Sequence, residues 1–123
     1  HLCHGSPVRL EEFEYIFAPE QARECLSMYS ELGHITLIGH SHLCKVFALT
    51  PTSVEELPPI DFDLQPNRKY IVSVGSVGQP RDGDTRACYA VYHGDKVVWR
   101  RVEYVARGVT VVATAVLIYL LFV

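Results

Sequence analysis

Ile35-Thr36-Leu37-Ile38-Gly39-His40-Ser41-His42 is the stretch whose reading decides the fold. Four apolar or β-branched residues in a row, closed by a glycine, predict a short strand buried on both faces. His40, Ser41 and His42 then form a loop at the strand's end. On extended backbone an i, i+2 pair points both rings to the same side. Neutral imidazole is the commonest metal ligand. At this point a metal-binding edge and a pair of ordinary loop histidines are equally open readings.

Working back toward the start, Leu2-Cys3 reads as the tail of another strand, delivering His4 into a loop broken by Gly5, Ser6 and Pro7. His4 thus offers a third imidazole from a second strand-to-loop junction. Phe13, Tyr15, Ile16 and Phe17 make an aromatic and apolar patch. Pro19 suits the first turn of a helix and Glu20 its positive end. The spacing of Ala22, Cys25, Leu26 and Tyr29 predicts a helix over 20–32, stopped by Gly33.

Working forward, 45–49 and 69–74 read as strands, separated by a proline-punctuated loop with Pro51, Pro58 and Pro59. Gly75, Gly78 and Gly83 make 75–84 a long irregular loop. The β-rich runs 87–92 and 96–104 are joined by His93-Gly94-Asp95, a hairpin signature. The connections look too short for crossover helices, so pairing should be mostly antiparallel. The predicted class is α/β, one helix with mixed or antiparallel strands, amounting to half of a layered sandwich. Without the other half, strands 35–38 and 70–74 should expose apolar faces.

The chain has 123 residues, enough for a single domain. At 49% hydrophobic and 20% charged residues it cannot be disordered throughout. A net charge of -3 argues against a nucleic-acid binder. The four cysteines, at 3, 25, 44 and 88, form no C-x-x-C pair and read as reduced, cytoplasmic thiols. Of the remaining histidines, His34 stands at a helix end, His93 in a turn and His1 at the start of the sequence, and none is given a chemical role.

His4-Gly5-Ser6-Pro7, Gly39-His40-Ser41-His42, Gly75-Ser76-Val77-Gly78-Gln79-Pro80-Arg81-Asp82-Gly83-Asp84 and Ala87-Cys88-Tyr89-Ala90-Val91-Tyr92 follow one another in an order that narrows the field. In order and spacing they resemble the C-terminal half of the calcineurin-like metallophosphoesterases, most of all the small bacterial predicted phosphodiesterases. The resemblance covers residues 1–104. It implies a β-sandwich flanked by helices and an active site with two divalent metal ions, Mn2+ or similar. It implies that His4 and His40 ligate one ion and His42 the other. It also implies a phosphate mono- or diester as substrate.

The family's other ligands come from N-terminal motifs of the types D-x-H, G-D-x-x-D and G-N-H-[DE]. None occurs here; the lone asparagine, Asn67, lies in no such motif. A dinuclear site needs a bridging carboxylate to hold two cations together, and the family's proton donor is the histidine of G-N-H-[DE]. The chain therefore reads as a fragment, inactive alone, whose partner is a missing N-terminal half. A degenerate, non-catalytic binding module is the alternative. In the loop 75–84, glycines free backbone N–H groups for an anion. There Arg81 either clamps a phosphate through paired hydrogen bonds or pairs with Asp82. Ser76 belongs to the same loop, which either touches substrate or supports the histidine loops from behind.

Beyond residue 104 the resemblance ends. The run 109–123 is apolar, broken only by Thr110 and Thr114. As a helix, the sixteen uncharged residues 108–123 would span roughly 24 Å, short of the roughly 30 Å of a bilayer core. Val109, Thr110, Val111 and Val112 equally suit a strand. The expectation is a cytoplasmic protein with an apolar tail, with a membrane anchor through 109–123 as the alternative.

Overall fold

Ile35–Ile38 is a strand, and it lies inside a five-stranded sheet. The computed structural model describes residues 1–103. Its elements run β1 (Leu2–Cys3), α1 (Pro19–Glu24), β2 (Ile35–Ile38), β3 (Cys44–Leu49), β4 (Val54–Leu57), β5 (Phe62–Asp63), β6 (Lys69–Val74), β7 (Ala87–Tyr92) and β8 (Lys96–Val102). A 3-10 turn, Cys25–Met28, continues α1. The first sheet has the order β1-β2-β6-β3-β4 and the second β5-β8-β7. β1–β2 and β2–β6 pair in parallel; the other four pairings are antiparallel.

The α/β class with mixed strands is what the sequence predicts. The connection from β1 to β2 contains α1 as a crossover helix, so those strands are parallel. After the helix, pairing is mostly antiparallel, as expected, with β2–β6 the exception. One local expectation is corrected: the helix is shorter than 20–32. Ser27 Oγ donates to the Glu24 carbonyl at 2.7 Å, a local bond that competes with the α-helical ladder. Lys69 Nζ, from β6, donates to the carbonyls of Tyr29 and Leu32 at 2.6 and 2.5 Å and holds the chain in its turn.

The pleat sorts the large sheet's side chains into two cores. Ile35, Leu37, Val46, Ala48, Tyr70, Val72 and Val74 face the second sheet and pack with Leu64, Ala90 and Val97. Ile38, Phe47, Leu49 and Ile71 face the other way and pack with Ile16, Ala22, Cys25 and Leu32 of the helical segment. Both faces of β2 and β6 are thus covered within this chain. The expected bare apolar faces do not occur, because the helical segment and the β5-β8-β7 sheet supply the two covering layers. What stays open is an edge: β1 has only two residues, and Leu2 is 59% exposed.

At the opposite edge, β4 forms where the prolines predicted a loop. Its Glu56 pairs with Lys45 at 2.6 Å and Glu55 with Arg68 at 2.7 Å, charges typical of a protected edge strand. Among the described residues no helix is long and apolar enough to cross a membrane. The tail at 109–123 lies outside the described residues, as does the boundary at 104.

Candidate metal centre

His4 and His40 are brought together by strand pairing. β1 and β2 run parallel with Cys3 opposite Ile38, and the Gly39 N–H donates to the His4 carbonyl at 3.0 Å. Both histidines therefore leave the carboxyl ends of neighbouring parallel strands, the usual ligand-binding end of such a sheet. His40 Nδ1 and His4 Nε2 stand 2.9 Å apart, one donating to the other, with ring centroids 4.7 Å apart.

The loop is not extended as the i, i+2 argument assumed. His40 and His42 have φ of 61° and 59°, a conformation uncommon for residues other than glycine. The Ser41 N–H donates to the Gly39 carbonyl at 2.7 Å, closing a tight turn around His40. Such strain persists where the surroundings over-determine it, and it concentrates at functional sites. Here Ser41 supplies the anchor. Its buried Oγ bonds Ser73 Oγ at 2.9 Å and accepts from the Leu43 N–H at 3.3 Å, while Ser73 Oγ donates to the Leu43 carbonyl at 2.8 Å.

Gly5 lets a second loop close over the pair. A Cβ at that position would stand 2.7 Å from the Glu14 carbonyl oxygen. The Ser6 N–H instead donates to that oxygen at 2.8 Å. The approach brings the aromatic patch onto the histidines: Tyr15 stacks on His40 with centroids 4.1 Å apart, and Phe13 meets His4 edge-on at 5.3 Å. Burial lowers the His40 pKa, helped by the nearby charges of His4, His42 and Arg81. A neutral ring is the form that binds a cation.

His42 is buried, and its Nδ1 has no hydrogen-bond partner among the described residues. Its carbonyl accepts from the Arg81 N–H at 3.2 Å, so the loop 75–84 leans on the histidine loop. Arg81 does not pair with Asp82. Its guanidinium donates to Gln79 Oε1 at 2.8 Å, while Asp82 is engaged by Arg101. Ser76 Oγ accepts from the Gln79 N–H at 2.9 Å and so shapes the loop. His34 Nε2 donates to the Gln65 carbonyl at 2.9 Å, away from this cluster.

A divalent ion suits the His4–His40 pair. His4 Nε2 and His40 Nδ1, 2.9 Å apart, are the nitrogens that would hold it, and such an ion would replace the proton they share. The unpartnered His42 Nδ1 is a further donor. Yet among the described residues no three His, Cys, Asp or Glu side chains gather as a complete metal site. Tyr15, Ser41 and Ser73 are the parts sequence reasoning missed; only the aromatic patch at Tyr15 gave a signal.

No family model matches the chain. The uncharacterized protein MJ0912 of Methanocaldococcus jannaschii is 32% identical over 105 residues, which is 84% of this chain and 40% of that protein. The solved metallophosphoesterase from Sphaerobacter thermophilus superposes with a TM-score of 0.63 at 29% identity, covering 84% of this chain and 44% of the other. This chain carries part of a metallophosphoesterase fold. The likeness bears out the resemblance read from the His4 and His40 motifs, and it does so over less than half the length of either relative. Metallophosphoesterases as a class use divalent metals, which accords with a histidine pair at the strand ends.

Proposed function

We propose that the chain is the C-terminal part of a two-metal phosphoesterase acting on a phosphate monoester or diester. The observation that carries this is the His4–His40 pair, two ring nitrogens 2.9 Å apart at adjacent strand ends of a fold shared with a metallophosphoesterase. His4 and His40 would hold one divalent ion and His42 a second, with Mn2+ or a similar cation in each. When bound, such ions supply Lewis acidity toward phosphoryl oxygens and activate water at neutral pH.

The chain's own residues set up the rest. Tyr15 and Ser41 fix the imidazoles, and burial lowers the His40 pKa. Arg81, exposed and among the described residues hydrogen-bonded through its guanidinium only to Gln79, would bind a phosphoryl group through paired hydrogen bonds. Ser76 holds that loop in shape. The bridging carboxylate and the proton donor would come from an N-terminal half, which makes that half the partner and leaves the isolated chain inactive. A cytoplasmic location belongs to the same reading and rests on the scattered, unpaired cysteine spacing.

The DNA directly upstream of His1 is the simplest test: it should encode D-x-H, G-D-x-x-D and G-N-H-[DE] in one frame. The chain alone should bind Mn2+ weakly and lose that binding in His40→Ala, yet hydrolyse no model phosphodiester. Robust hydrolysis by the chain alone that vanishes in His40→Ala would overturn the inactive-part reading.

A further inference from the structure

Cys44 and Cys88 lie far apart in sequence and touch in space. Cys44 opens β3 in the large sheet and Cys88 lies in β7 of the small one. Their sulfurs are 3.1 Å apart in the buried seam between the sheets. The contact is built by the backbone around it. The Cys88 N–H donates to the Ser76 carbonyl at 2.8 Å, and Cys44 sits opposite Val74. Gly75 lies between these points with φ 84°, and a Cβ there would stand 2.9 Å from Cys44 Sγ and 3.0 Å from Cys88 Sγ. Only glycine leaves room for both sulfurs. Arg101 Nη2 donates to Cys44 Sγ at 3.4 Å and grips Asp82, closing the seam from outside. Cys3 and Cys25, by contrast, belong to the core on the helical side of the large sheet.

We propose that Cys44 and Cys88 are a reversible disulfide site joining the two sheets, closed when a hydroperoxide oxidises the chain. Burial restricts the oxidant: Cys44 is 7% and Cys88 2% exposed, too little for a bulky disulfide to reach either sulfur, so the oxidant proposed is a small hydroperoxide. One sulfur attacks the peroxide O–O bond, becomes S–OH and releases one water. The second sulfur attacks the first, the S–O bond breaks, and the second water leaves with the remaining thiol proton. Two thiols are oxidised and one peroxide is reduced to two waters. The bond ties β3, which starts two residues after His42, to β7. It requires neither a bound metal nor phosphoesterase activity.

The test uses the full, reduced chain treated with graded hydrogen peroxide, then unfolded, alkylated and mapped by mass spectrometry. The expected product is a linked pair of peptides containing Cys44 and Cys88, with only two of the four cysteines alkylated. Dithiothreitol should restore all four. The oxidised chain should melt at least about 5 °C higher, because the loop it closes is long. Cys88→Ser should show neither the link nor the rise. If that variant does not fold, the map of the unmodified chain decides alone. A first cross-link through Cys3 or Cys25 would overturn the proposal, as would four alkylated cysteines at peroxide doses that oxidise a control dithiol. A Cys44–Cys88 link with an unchanged or lower Tm would overturn the clamping of the sheets.

Discussion

Two clusters of polar side chains flank the histidine loop, and they are satisfied in opposite ways. Around Asp82, Asp84, Arg86 and Arg101, each carboxylate meets a guanidinium. At His4 and His40 two basic rings meet, the backbone takes positive φ at His40 and His42, and the buried His42 Nδ1 has no hydrogen-bond partner among the described residues. The first arrangement is complete in itself and serves the fold. The second leaves polar groups unsatisfied, which fits the proposal that His4 and His40 hold a cation. Unsatisfied, strained groups held by a rigid scaffold are where a ligand is expected.

The largest effect that tests this contrast falls at Gly75, on the seam of the satisfied side. Gly75→Ala combines positive φ with a Cβ against two sulfurs, and should cost about 2–4 kcal/mol in urea unfolding. Gly83→Ala is the control: φ is 86°, but nothing lies within 4 Å, so the cost should stay near 1 kcal/mol. Equal costs would mean that close packing in the seam contributes nothing. Ser73→Ala comes next. It removes the Ser73 hydroxyl that Ser41 bonds, leaving Ser41 only the Leu43 N–H among the described residues, and should cost about 1–2 kcal/mol while loosening the histidine loop, seen as a weaker Mn2+ affinity. A full stability loss with unchanged metal affinity would separate the loop anchor from the ligands.

His40→Gly probes the strained side. Relief of positive φ, about 1 kcal/mol, opposes the lost stacking on Tyr15 and the added freedom of the unfolded chain. Stability should change by less than about 0.5 kcal/mol, while metal binding disappears. A loss above about 1.5 kcal/mol would show that His40 serves the fold rather than a ligand.

Most of the fold was legible, for a reason visible in particular residues. Ile35–Ile38 and Lys69–Val74 are apolar on both faces because layers cover both sides, and no other element fits such runs. The edge strand Val54–Leu57 was not legible: its centre is Glu55-Glu56, and its ion-pair partners are Arg68, just before β6, and Lys45 of β3. The early end of α1 depends on Lys69, forty residues on from Tyr29. In the site, the histidine motifs announced themselves, but their geometry was misjudged. Positive φ at His40 and His42 is imposed by Ser41 reaching Ser73, a contact between residues 32 positions apart. Sequence spacing singles out the histidines; distant contacts set their geometry.

The smallest effect separates the two clusters by pH. Burial and the neighbouring positive groups hold the His40 pKa below its ordinary value of about 6.5. The folded chain therefore binds this proton less readily than the unfolded chain. The associated stability is complete above about pH 6.5 and declines as pH falls through the window down to the lowered folded pKa. Asp82 behaves as a depressed carboxyl. Burial alone would push it up, but the Arg101 hydrogen bond and charge outweigh that, so its contribution is complete above about pH 4 and declines as pH falls through its folded pKa. Two shallow steps should appear in stability against pH, each below about 1 kcal/mol because both groups are partly screened by solvent. His40→Gln should flatten the step below pH 6.5 and leave the acid one; Arg101→Gln should do the reverse. Were Arg101→Gln to flatten both, the clusters would be one coupled network, and the division between a finished side and an unfinished side would fail.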